Sequence, residues 1–269
     1  AHVIEHMLFT GTKTRTHEDI SREIEKKGGV LNAFTAHEVT SYWFKLPKEH
    51  LFSGMEIICD MLNNATFNEE KFEKEKKVIL EEIKMYDDDP RQRVLENIEK
   101  VMFEKPFGEL IIGSKKSVSA LKRDFVYNYW KENYNPSNYI VTVVGDVDID
   151  KICAFLEKNF KKGEGKPVEK KIEKKNERMI EERGGIDQAN FVMGMHAPLL
   201  NDNKHKILEV LDAYLAKGMS SRLFLEIREK RGLAYAVKGM IQAEKNYSQY
   251  LIYVGTTKDK VEEVEGIII

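Results

Sequence analysis

Apolar residues recur at helical spacing over the first nine positions, and the pattern predicts a helix over 1–9. A second helix follows in "THEDISREIEKKGG", with Thr16 as N-cap, acidic residues in its first turn and Gly28-Gly29 as its stop. The β-branched and aromatic run "VLNAFTAHEVTSYWFKLP", closed by Pro47, predicts strands over 30–35 and 39–46. Helical spacing returns over 49–64, and a long amphipathic helix runs from Asn68. Asp89-Pro90 reads as an N-cap with Pro at the first helical position, opening a helix to about residue 103. Asp87–Asp89 lack the spaced ligands of a calcium loop, so a helix boundary is the better reading. A helix is predicted over 117–132, a strand in "NYIVTVVGDVD" and a helix over 149–159.

The run "KKGEGKPVEKKIEKKNERMIEER" then breaks the pattern, as a solvated linker or an exposed strand would. After it, "QANFVMGMHAP" predicts a strand, 202–217 and 220–231 predict helices, and "AYAVKGMIQA" and "YSQYLIYVGT" predict strands. The second half thus repeats the grammar of the first: helix, helix, strand pair. The fold class expected is α+β, with two tandem homologous modules, each a mostly antiparallel sheet packed against helices. Their expected bounds are 1–165, a charged linker or first strand at 166–183, and 184–269. The chain opens inside a helix and stops inside another in "VEEVEGIII", so upstream residues are expected and the second module reads as truncated.

Length and charge narrow the classes. A chain of 269 residues can bury two ordinary cores. Forty-three basic against 45 acidic residues give a net charge of −2, which offers nothing to nucleic acid. No apolar run approaches the ~18 residues of a bilayer span. Cys59 and Cys153 are the only cysteines, too few for a disulfide framework, and a cytoplasmic, reducing compartment is the default.

The candidate chemistry lies at the start, in "AHVIEHMLF". His2 and His6 are four apart and share a helix face, with Glu5 beside them. H-x-x-E-H inverts the H-E-x-x-H zinc motif, although two such histidines also occur as satisfied core residues. A hydrolytic zinc site needs a third protein ligand and an open position for water. Carboxylates abound over 68–85; Glu75 and Glu82, seven apart, share a face with Val78 and Ile79 between them, while Glu81 points about 100° away from Glu82. His17, His37, His50, His196 and His205 show no ligand spacing and read as structural or surface residues.

With these residues in view, the chain resembles the pitrilysin and mitochondrial-processing-peptidase family of inverted-zincin metallopeptidases, of the bacterial processing-protease type. His2-Val3-Ile4-Glu5-His6, followed by Met7-Leu8-Phe9 and Gly11-Thr12, matches the family's zinc helix, and the segment from Glu75 to Glu82 matches that of its third ligand. Glu82 falls 76 positions after His6, as the family requires. "GGVLNAFTAHEVTSY" is similar to the family's substrate-accepting edge strand, though it also reads as an ordinary hairpin. "SSRLFLEIREKRGLAYAV" is similar to the second-module signature, which maps onto Arg228 and Tyr235. Read without that resemblance, "REKRG" is a charged helix end stopped by Gly232.

The resemblance implies one Zn²⁺ per chain held by His2, His6 and Glu82, with Glu75 in support and Glu5 as the acid-base group. It implies a peptide substrate added as a β-strand along Asn32, Ala33, Phe34 and Thr35, in a chamber between two modules, with Tyr235 and Arg228 on the substrate carbonyl. Paired modules or a homodimer are expected, and neither nucleic acid nor membrane. The alternative is a non-catalytic structural or partner subunit of the same family. A thioether lyase that shares H-x-x-E-H completes its site with Cys, and neither cysteine here sits in a comparable context.

Overall fold

The computed structural model describes residues 1–161, 163 and 171–269. In chain order its helices are α1 (His2–Phe9), α2 (His17–Glu25), α3 (Leu51–Asn64), α4 (Glu69–Asp88), α5 (Pro90–Met102), α6 (Lys115–Ala120), α7 (Arg123–Asn133), α8 (Ile149–Asn159), α9 (Asn203–Leu215) and α10 (Val261–Ile268). The strands are β1 (Val30–Thr35), β2 (Thr40–Lys45), β3 (Gln188–His196), β4 (Ala236–Ala243) and β5 (Ser248–Thr257). These divide into two compact units: residues 1–84 with 111–170, and 85–110 with 171–269.

In the first unit the apolar side of α1 forms the floor of the core. Val3, Ile4, Met7 and Leu8 are buried, as are Ile20 and Ile24 of α2, Ile57 and Met61 of α3, and Phe72 and Ile79 of α4. Each such side chain contributes roughly 1.5–3 kcal/mol by leaving water. The spacing that buries these four leaves His2, Glu5 and His6 half-buried at the margin of the core. Beyond α1 the chain is pinned to α3 by two carboxylates: Glu56, which accepts from Arg15 Nη2 at 3.1 Å, and the more heavily bonded Asp60. Asp60 accepts hydrogen bonds from Thr12 Oγ1 (2.6 Å), Thr14 Oγ1 (2.8 Å), Arg15 Nη1 (2.9 Å) and Asn64 Nδ2 (2.8 Å). Thr16 caps α2 in a capping box with Asp19. The β1–β2 hairpin pairs Val30 with Lys45 and Thr35 with Thr40. Among the described residues, β2 is the strand that β1 pairs with, and its other edge has no strand beside it.

Two expectations for this unit are corrected. "NYIVTVVGDVD" forms no strand: among the described residues no strand lies alongside it, and Ile140 and Val144 are each 94% exposed. An apolar, β-branched run becomes a strand only where a partner takes up its backbone hydrogen bonds. The helix predicted over 117–132 is two helices, α6 and α7. Leu121 and Lys122 between them are extended (ψ 138° and 142°), and the Leu121 carbonyl bonds to Lys76 Nζ at 3.1 Å.

The second unit is built on a three-stranded antiparallel sheet in the order β3-β5-β4. Central β5 is buried from Ser248 to Thr256. In register, Gly255 faces Asn190 on β3 and Ala236 on β4. Helix α9 approaches β4 closely at Gly239, whose amide bonds to the Ala216 carbonyl at 3.3 Å; a Cβ there would lie 1.8 Å from Asp212 Oδ1. Residues 85–110, which precede the charged run, belong to this unit: Val101 and Met102 of α5 and the following Phe103 are buried with Tyr247 of the β4–β5 turn and Leu251 of β5. Of the expected linker, 166–170 lie outside the described residues. Residues 173–177 are stitched to the end of α5 by backbone bonds Glu104 to Glu173, Lys175 to Met102 and Glu177 to Val101. The helix predicted over 220–231 is wound as a π-helix over Phe224–Glu229.

Candidate metal centre

The helical spacing of α1 and α4 brings three donors to one point. His2, His6 and Glu82 each offer an atom lying within 4.8 Å of the others. Glu82 Oε2 is 3.8 Å from His2 Nε2 and 3.6 Å from His6 Nε2. Neither separation is a hydrogen bond. Both approach the ligand-to-ligand spacing of about 3.3–3.5 Å in a tetrahedral zinc site with bonds of 2.0–2.2 Å. Two imidazoles and a carboxylate are also the donor types that zinc takes. The trio therefore fits a metal better than it satisfies itself.

The surrounding groups prepare the imidazoles. Glu75 Oε2 is 3.1 Å from His6 Nδ1, which leaves His6 Nε2 facing Glu82. Such a carboxylate fixes the tautomer and the ring plane of a ligating histidine. Burial first, and the neighbouring His6 second, push His2 down to about 4, so at neutral pH it carries a free lone pair. Burial acts in the same direction on His6, but the hydrogen bond to Glu75 and the charges of Glu82, Glu75 and Glu5 outweigh it and raise its pKa. His2 Nδ1 is buried without a hydrogen-bond partner among the described residues.

Glu5 stands beside the trio and outside it. Its Oε2 accepts a short hydrogen bond from the Thr35 hydroxyl. Near it, Tyr42 and Tyr134 face each other with hydroxyls 3.2 Å apart; burial first raises the pKa of both, and the Glu5 charge adds to that rise. Sequence reasoning placed Thr35 on the strand edge and missed its bond to Glu5. The available signal was strand alternation, which turns Leu31, Ala33 and Thr35 inward and exposes Asn32 and Phe34. Neither Tyr42 nor Tyr134 stands out in the sequence as a neighbour of Glu5.

On α4, Glu75 and Glu82 share the half-buried face with Ile79, as the spacing predicts. Val78, expected on that face, is 39% exposed: the helical repeat carries it round to the solvent side. Glu81 is exposed and pairs with Lys84 at 2.6 Å. Arg228 and Tyr235 belong to the second unit. Arg228 lies on the π-helical segment, its guanidinium 4.8 Å from the centre of the Phe224 ring and its Nε 4.0 Å from Glu229. Tyr235, half exposed, has its hydroxyl 3.4 Å from that of Tyr253. Among the described residues no helix is long and apolar enough to cross a membrane.

Comparison with known proteins was made on this footing. Residues 1–115 match the family model described as insulinase (peptidase family M16), and residues 120–269 match the one described as the peptidase M16 inactive domain. An uncharacterized zinc protease of Streptomyces coelicolor is 32% identical over 98% of this chain and 60% of its own length. An uncharacterized zinc protease of Bacillus subtilis is 30% identical over 100% of this chain and 66% of its own length. The chain thus spans about three fifths to two thirds of these relatives. Among solved structures, a protease from Helicobacter pylori superposes with a TM-score of 0.88 at 22% identity, covering 99% of this chain and 68% of that one. A peptidase M16 inactive domain from Pseudomonas fluorescens superposes at 0.83 with 17% identity, covering 99% and 66%. These two show the same fold.

Proposed function

The chain belongs to peptidase family M16, and on that premise we propose that it is a zinc-dependent endopeptidase acting on unstructured peptides. The observation that carries the reading is the convergence of His2, His6 and Glu82, with Glu5 beside them and bonded to Thr35. A bound zinc ion would supply Lewis acidity and bring the pKa of its water from 15.7 to about 7. Glu5 takes the proton from the attacking water and delivers it to the leaving amine. Thr35 restrains Glu5 by one oxygen and leaves the other for that transfer. Glu75 keeps His6 Nδ1 occupied so that Nε2 serves as the ligand.

The substrate proposed is an extended segment added to the open edge of β1, along Asn32, Ala33, Phe34 and Thr35. Main-chain pairing recognises an unfolded stretch of many sequences and rejects a folded one, because only the former can present its backbone. Tyr235 and Arg228, assigned by the resemblance of their segment, act on the substrate carbonyl, with Tyr235 as donor to the developing oxyanion. The zinc-protease names of the relatives support the reaction class. The test is cleavage of a quenched peptide of about 15 residues, long enough to lie along a strand at ~3.4 Å per residue, by the full-length protein with zinc and after chelation. Zinc-dependent cleavage supports the reading, and a zinc-loaded protein that cuts no such peptide supports the non-catalytic alternative.

A further inference from the structure

Tyr253 projects from central β5 and is 2% exposed. A phenol that deeply buried needs partners for its hydroxyl, and this one has two. It donates to Asn190 Oδ1 at 2.7 Å, and the Tyr235 hydroxyl lies 3.4 Å away. A phenol carries a single proton. With that proton committed to Asn190, the Tyr253 oxygen faces Tyr235 only as an acceptor, and Tyr235 is the donor of the outer bond. Burial raises the Tyr253 pKa, so it stays protonated across the physiological range. The Arg91 guanidinium, 5.1 Å from the centre of the Tyr253 ring, adds a cation–π contact.

The Tyr235 ring has its own seat. Its backbone amide bonds to the Gly255 carbonyl at 3.0 Å, and a Cβ at position 255 would stand 2.3 Å from its Cζ. Only glycine leaves room for the ring there. Because Tyr235 is 49% exposed, an added methyl would swing it outward rather than disrupt the core.

We propose that Tyr253 is a positioning residue for Tyr235, acting through the hydroxyl chain that ends on Asn190 and with Gly255 as the seat of the ring. The outer bond, at 3.4 Å, is long and weak. It orients the Tyr235 proton in the resting protein and is readily exchanged for a shorter, charge-assisted bond to a substrate oxyanion. The role belongs to the chemical step, so it acts on kcat. It builds on the reading of Tyr235 given above.

The experiment is a double-mutant cycle on the zinc-loaded full-length protein with the quenched peptide as substrate. Tyr253→Phe keeps the ring and removes the hydroxyl; Gly255→Ala keeps every polar group and displaces Tyr235. Each lowers kcat by about 10-fold with KM within about 2-fold, the loss that misorientation of a reacting group produces. Zinc content stays at the wild-type value. In a Tyr235→Phe background, itself slowed about 10²–10³-fold, neither substitution costs anything further. Wild-type kcat for Tyr253→Phe, or an equal further loss in the Tyr235→Phe background, overturns the positioning role and leaves the reading of Tyr235 standing. Wild-type activity of Tyr235→Phe overturns both.

Discussion

The Thr35 hydroxyl donates to Glu5 Oε2, tying the open edge of the first hairpin to the carboxylate beside the candidate metal ligands. A peptide pairing with β1 would thereby be aligned against the same residue that holds the acid-base group. Thr35→Val keeps the strand's shape and removes the donor. Steady-state kinetics should show kcat reduced by about 10–100-fold, the usual effect of an outer-shell partner, with bound zinc unchanged by elemental analysis.

The ligand assignment separates Glu82 from Glu75 by its consequences. Glu82→Gln should leave far less than one zinc per chain after dialysis, because a neutral amide replaces the one anionic ligand. Glu75→Gln should still bind zinc, about 10–100-fold more weakly in a competition titration with a chromogenic chelator. Equal zinc affinities for the two variants would place the third ligand elsewhere.

Asp60 makes a stability prediction independent of any metal. Burial acts to raise its pKa, and the hydrogen bonds from Thr12, Asn64, Arg15 and Thr14 outweigh it and lower it. A carboxylate depressed in the folded state stabilises that state above its unfolded pKa, and the contribution is lost as pH falls through the folded pKa. Asp60→Asn should therefore cost on the order of 1–3 kcal/mol at pH 7 in denaturant unfolding. The gap to wild type should begin to narrow below about pH 4, where the carboxylate of the unfolded chain protonates, and close as pH falls through the depressed folded-state pKa.

The capping box at the start of α2 gives a local control. Thr16→Ala removes the side-chain acceptor for the Asp19 amide. Unfolding should show a loss of about 1 kcal/mol, with zinc affinity unaltered. A change in zinc affinity would mean that α2 and the site are coupled more tightly than the contacts of Thr16 allow.

How far the sequence reaches is visible residue by residue. Val3, Ile4, Met7 and Leu8 announce α1, and Thr16 and Asp89-Pro90 announce helix starts, because a helix is encoded within a few neighbouring positions. The pairing of His2 with His6 was legible for a similar reason, since one helical turn sets their spacing; the α4 face left Glu75 and Glu82 both open, and Glu82 was assigned by the family resemblance. Thr35 on Glu5, Asn190 on Tyr253 and the seat at Gly255 were not legible, since each joins segments distant in sequence through tertiary packing. "NYIVTVVGDVD" carries strand propensity without a strand beside it among the described residues, and propensity alone forms no ladder. The break at Leu121-Lys122 goes with a contact from the distant Lys76 that no local period encodes.

The account's central claim is that Glu5 is the acid-base group of a zinc peptidase. The direct measurement compares the full-length protein with its Glu5→Gln variant, each with its zinc content measured, on one quenched unstructured peptide. The account predicts that wild type cuts and that Glu5→Gln is slower by at least about 10²-fold while holding the same zinc. Equal cleavage by the two proteins, or no cleavage by either while both hold zinc, would contradict it.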